Sequence, residues 1–279
     1  MKSFPIVLSA VVSFGLVLQA VAEEAPIVRP TEVLAPEKAG PEPGEPPSAK
    51  AGPVSGEGEL VLPSAKTPEA TKSVEGFLKL PPEKRKEFGL LLKEGMRLVL
   101  AHRVQEAAEQ LNAAETIWPD HPELLMNKGA VLVRMKDYER ATRYYAKGAA
   151  LYPDLWSMRF NLAEMDFVRK DFKKAQEGFA AIQSKEKDLK LSESRLIEYK
   201  IILCLLMQGK VDEFRKRLDQ FDLIDDTPIR YYGMAAFHFH EGEKEKAQEW
   251  VKDAHKIYQA STLELYEDSL IELGWLFKL

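Results

Sequence analysis

Cysteine is almost absent: the chain of 279 residues has one, Cys204. That excludes a disulfide framework and any cysteine-based zinc finger. Charge of one sign is also scarce. The net charge is −5, and ten Glu against five Lys and Arg between residues 23 and 75 account for that deficit. With Lys2 set aside, residues 76–279 carry about −1, so no net field draws them to nucleic acid or anionic lipid. Residues 23–75 contain no Phe, Tyr or Trp, yet they hold ten of the 17 prolines. Apolar runs beyond residue 22 are too short for a polytopic membrane protein. Nucleotide-binding glycine loops, nucleophile elbows and H-E-x-x-H are missing, and no paired carboxylates stand in an apolar setting. Nothing in the pattern supports an enzyme or a cofactor.

What is present divides the chain into three parts. Residues 1–22 have a basic start at Lys2, an apolar run from Phe4 and a small-x-small ending, Ala20-Val21-Ala22. This is the pattern of a secretory signal peptide, cleaved after Ala22. If uncleaved, the run would just reach across a bilayer and act as an anchor. The expected location is the periplasm, or the medium if secreted. Residues 23–75 read as a disordered Pro-rich linker that cannot bury enough apolar area to order itself. The tetrapeptide Pro47-Ser48-Ala49-Lys50 recurs as Pro63-Ser64-Ala65-Lys66, which low-complexity drift explains. A short helix opened by Thr67-Pro68-Glu69 and running to Leu80 is a further expectation. Residues 76–279 are long enough for one core.

That last part repeats itself. Ala107, Ala141 and Ala175 are spaced by 34, and so are Gly95, Gly129 and Ala163. Tyr138 pairs with Phe172, Tyr145 with Phe179 and Pro119 with Pro153 at the same offset. Small, aromatic and proline columns sharing one period resemble the tetratricopeptide-repeat family. The resemblance implies an all-α solenoid of about five helix-turn-helix repeats. They fall near residues 88–121, 122–155, 156–189, 195–227 and 228–261, with a capping helix over 262–279. Small residues at Gly95, Gly129, Ala141 and Ala247 allow close helix contact, while Tyr145 and Phe179 fill the gaps beside it. Asp137 and Asp171 cap second helices, and Pro153 ends one. The fourth unit departs from the pattern, with Phe214 at an alanine position. The capping helix shows in Leu263, Tyr266, Leu270, Leu273 and Phe277, which form one stripe.

The resemblance also implies a concave groove lined by the first helix of each repeat. Its expected lining is Leu92, Met96 and Val99; then Met126, Asn127, Ala130 and Val133; then Phe160, Asn161, Glu164 and Phe167. Tyr199, Leu203, Tyr232, Ala236 and Phe239 complete it. Asn127 and Asn161 recur at one register and could bond a peptide backbone. The carboxylate-clamp pattern of the family is not met, because Leu92 and Met96 stand where it needs Lys and Asn. His238 and His240 point to different faces of a helix and do not share a metal. Cys204 reads as a core thiol. The expected role is a protein-interaction scaffold that holds a peptide or helix of another envelope protein in its groove. The partner is a protein, with no nucleic acid, no small-molecule substrate and no metal, and with membrane involvement only if the leader stays. The alternative is a structural subunit held through its convex surface and terminal helix.

Overall fold

A computed structural model describes residues 62–277, in which twelve α-helices and no strand occur. The expected signal peptide and most of the expected linker lie outside the described residues. No helix among the described residues is long and apolar enough to cross a membrane.

Helix α1 (Pro68–Leu78) comes first. Residues 68–75, assigned above to the linker, are therefore helical. Thr67 causes this: its Oγ1 accepts from Ala70 N at 3.1 Å, and Pro68 suits the first turn. Phe77 of α1 then stacks on Trp118 with ring centroids 4.0 Å apart, so α1 closes the apolar edge of the first repeat.

Five helical hairpins follow. They are α2 (Pro82–Leu100) with α3 (Val104–Ile117), and α4 (Pro122–Arg134) with α5 (Tyr138–Leu151). Next come α6 (Trp156–Val168) with α7 (Phe172–Lys185), then α8 (Leu191–Met207) with α9 (Val211–Leu218). The last are α10 (Ile229–His240) with α11 (Lys244–Ile257). Helix α12 (Ala260–Glu272) closes the series. Two boundaries move from the sequence expectation: α2 begins six residues before Phe88, and α8 begins at Leu191 rather than Arg195. The cap ends at Glu272, because Gly274 adopts φ +78° and Trp275 N bonds back to Leu270 O.

The 34-residue period is a packing period. A Cβ on Gly129 would lie 2.3 Å from Tyr145 Cε1, and one on Gly95 would lie 2.6 Å from Leu111. Only a missing side chain lets α4 and α5 approach this closely. Ala107, Ala141, Ala175 and Ala247 are fully buried, as are Tyr145 and Phe179. Asp137 and Asp171 cap α5 and α7 by accepting from Arg140 N and Lys174 N. The chain leaves α5 at Leu151, ahead of Pro153. Backbone shape repeats too: His102, Lys136 and Lys170, spaced by 34, all have positive φ at the turn inside a hairpin, and Gly209 and Gly242 take that place in the last two.

The fourth hairpin diverges because α9 is short and Phe214 is buried at the alanine position. Its first helix compensates by being buried without a break from Leu196 to Leu206, with Cys204 inside.

Candidate functional site: the concave groove and the helix within it

The expected groove residues divide into two sets. Met96, Met126, Asn127, Ala130, Phe160 and Asn161 pack into the hairpins themselves. Met126 and Ala130 sit in one core with Tyr145 and Met158, and Phe160 packs on Phe179 with centroids 5.3 Å apart. Asn127 does not reach outward; its Nδ2 donates to Glu123 O one turn back in its own helix. Asn161 is buried as well.

Glu164, Phe167, Tyr199 and Tyr232 form the second set: Tyr199 and Tyr232 meet α12 directly, while Glu164 and Phe167 meet Lys200, which reaches it. Tyr199 Oη donates to Tyr266 O at 3.3 Å, and the two rings lie 4.8 Å apart. Tyr232 Oη donates to Glu267 Oε1 at 2.8 Å, and its ring lies 5.7 Å from that of Tyr266. Lys200 Nζ donates to Glu164 Oε2 at 2.8 Å and to Glu272 Oε2 at 3.4 Å. It also lies over the Phe167 ring. Beyond the helix, Trp275 stacks on Phe239. Helix α12 packs on α8, α10 and α11, so it closes the stack and also meets the first helices of the last two hairpins.

Burial on α12 is nearly circumferential. Leu263, Tyr266 and Leu270 make the apolar stripe, and all are buried. Asp268 is 1% exposed although it follows Tyr266 by two residues. Two residues on an α-helix stand about 200° apart, so α12 is walled on opposite sides. Glu264, Asp268 and Glu272 share that second edge at four-residue spacing. The opposing cations come from the repeats: Lys200 beside Glu272 and Asp268, and Arg134 beside Asp268 and Glu264.

Burial sets the protonation of this cluster. It pushes Glu164 up, against Lys200. It pushes Glu272 up to about 8, with Glu164 and Asp268 adding to the shift and Lys200 opposing it. Burial would lower Lys200, but Glu164 and Glu272 hold it above the ordinary lysine value. Glu272 therefore retains its proton near neutral pH.

The sequence reading missed Lys200 and the acidic edge of α12. Lys200 interrupts the run from Leu196 to Leu206, a position a lysine occupies only with partners. The acids had the spacing of a single helix edge, but charges on helices ordinarily face water.

Elsewhere, the imidazole of His121 is buried between Phe88 and Trp118, at ring distances of 5.2 and 4.6 Å. Desolvation lowers its pKa to about 4. His238 and His240 each pair with a separate carboxylate, Glu243 and Glu241. Among the described residues, no three His, Cys, Asp or Glu side chains gather as a metal site would need.

No family model matches the chain. Among solved structures, a tetratricopeptide-repeat protein from Parabacteroides merdae superposes with a TM-score of 0.54 at 16% identity. The match covers 74% of this chain and 83% of that one. The thermophilic TPR protein TTC0263 of Thermus thermophilus gives 0.50 at 16% identity, over 67% and 99%. This chain has the tetratricopeptide-repeat fold. Among curated proteins, the mouse Protein O-mannosyl-transferase TMTC1 is 28% identical over 110 residues, which is 39% of this chain. The match spans only 12% of the mouse protein.

Proposed function

We propose that this chain is a non-catalytic protein-interaction scaffold whose concave groove holds a helix of a protein. The supporting observation is the organisation of Tyr199, Lys200 and Tyr232 around a helix: they contact its backbone carbonyl, two of its carboxylates and its aromatic side chain. Helix-in-groove recognition uses this combination of apolar anchors and flanking charge. The leader-like residues 1–22 support action outside the cytoplasm, on an envelope protein, with residues 23–61 as a tether. A second reading, a structural subunit held through its outer surface, is favoured by Leu223 and Ile224 in the α9–α10 loop, the latter 88% exposed.

Photo-crosslinking in cells separates these readings. A benzophenone at Tyr138, which lies near Glu272, traps a partner if the groove is used. One at Ile224 traps it if the outer loop is used. Absence of a protein adduct from either position would overturn the scaffold reading.

A further inference from the structure

The part of the expected groove around Tyr199, Lys200 and Tyr232 is already occupied, and its occupant defines what fits. Helix α12 presents an apolar edge of Leu263, Tyr266 and Leu270 to Tyr199 and Tyr232. It presents an acidic edge of Glu264, Asp268 and Glu272 to Arg134 and Lys200. The cations belong to α4 and α8, two hairpins apart in the chain, so the groove carries a built charge pattern along its length. Resting on the scaffold reading above, we propose that this groove is a receptor for an acid-edged amphipathic helix of another protein. In the structure described, α12 is its intramolecular ligand.

Three observations make α12 the replaceable part. It joins α11 through Tyr258 and Gln259 alone. Its buried polar atoms are incompletely matched: Ser269 Oγ and Glu272 Oε1 have no hydrogen-bond partner. Glu164 Oε1, on the groove wall, has none either. Buried groups left unpaired weaken a docked helix relative to one that satisfies them. The five hairpins meanwhile hold one another through their own glycine and alanine contacts. A foreign helix must compete with an attached one, whose effective concentration is in the millimolar range, so occupancy depends on its acids and anchors being better matched.

The test uses the full chain carrying Asp268→Lys and Leu270→Ala, which sets a cation against Arg134 and Lys200 and removes one anchor. The probe is a fluorescent peptide of residues 259–277. Hydrogen exchange should show α12 unprotected while α4, α6, α8 and α10 stay protected. The peptide should bind this variant at least tenfold more tightly than it binds the natural chain. A peptide with Glu264, Asp268 and Glu272 all changed to Lys should lose that binding. Should the variant fail to fold, the natural chain with a protease site between Gln259 and Ala260, cut after folding, should exchange its α12 for the labelled peptide. Loss of protection in α8 and α10 together with α12 would overturn the proposal, as would equal binding of both peptides. A variant that dimerises and takes up no peptide would assign the groove to a second copy and overturn the foreign partner. A partner trapped from Tyr138 or Ile224 while α12 stays fully protected would leave the scaffold reading intact and remove this one.

Discussion

Lys200 Nζ lies 2.8 Å from Glu164 Oε2, and both side chains are 1% exposed. This pair joins two hairpins, and its contact with Glu272 joins both to α12. Removing one member of a buried pair leaves uncompensated charge, at a cost of about 3–5 kcal/mol. Lys200→Met should destabilise the protein by that order at pH 7, measured by urea unfolding. The loss should shrink as pH falls toward 5, because the unfolded chain then also begins to hold protons on the carboxyls that the folded variant keeps neutral. An unchanged midpoint at pH 7 would mean that Lys200 does not meet these acids.

Two buried groups give opposite pH dependences. His121 has a folded pKa of about 4, below its ordinary 6.5. The unfolded chain binds the proton more readily, so its contribution is present above pH 6.5 and is lost as pH falls toward 4. His121→Phe, in a setting of Phe88 and Trp118, should flatten the acid limb of a melting-temperature profile. Glu272 is raised from 4.5 to about 8. Its contribution is present below 4.5 and is lost as pH rises to 8. Amides of α12, corrected for intrinsic exchange rate, should therefore open more at pH 8.5 than at pH 6.

Gly129 is held by Tyr145. A methyl at Gly129 would sit 2.3 Å from Cε1 of a fully buried ring, and overpacking of this kind costs about 1–3 kcal/mol. Gly129→Ala should lower the melting temperature, whereas Gly76→Ala, with nothing within 4 Å, should hold or raise it. Calorimetry on the two variants checks the pair; equal effects would break the assigned contact.

Lys136 and Lys170 hold φ of +64° and +66°, a region that costs a residue with Cβ about 1–2 kcal/mol. Gly already fills the equivalent turn at Gly209 and Gly242. Lys136→Gly and Lys170→Gly should each stabilise by roughly 0.5 kcal/mol, once the extra freedom of Gly in the unfolded chain is set against the relieved strain. Gly242→Ala should destabilise. Thermal unfolding of the three variants tests the ordering.

The repeat was legible because each hairpin reuses one short-range solution. Gly95, Gly129 and Ala163 recur where axes meet, and the distance from a small residue to its packing partner is fixed within the hairpin. The start of α1 was legible in Thr67 and Pro68, although the proline density around it argued for a linker. The groove was not legible in the same way. Its expected positions fall on first helices, but what meets Tyr199 and Lys200 lies 67 and 72 residues further along the chain. No local rule couples Lys200 to Glu272. The stripe of Leu263, Tyr266 and Leu270 announced one buried face, while Asp268 and Ser269, which show that α12 is enclosed, look like solvent-facing residues until the wall opposite them is known.

The relation between Tyr199 and Tyr266 tests the account most directly. With tyrosine rings selectively labelled in the full chain, nuclear Overhauser spectroscopy should show a ring-to-ring cross-peak between these two residues, whose centroids lie 4.8 Å apart. Tyr266 resonances at random-coil shifts, without that cross-peak, would contradict a groove closed around α12.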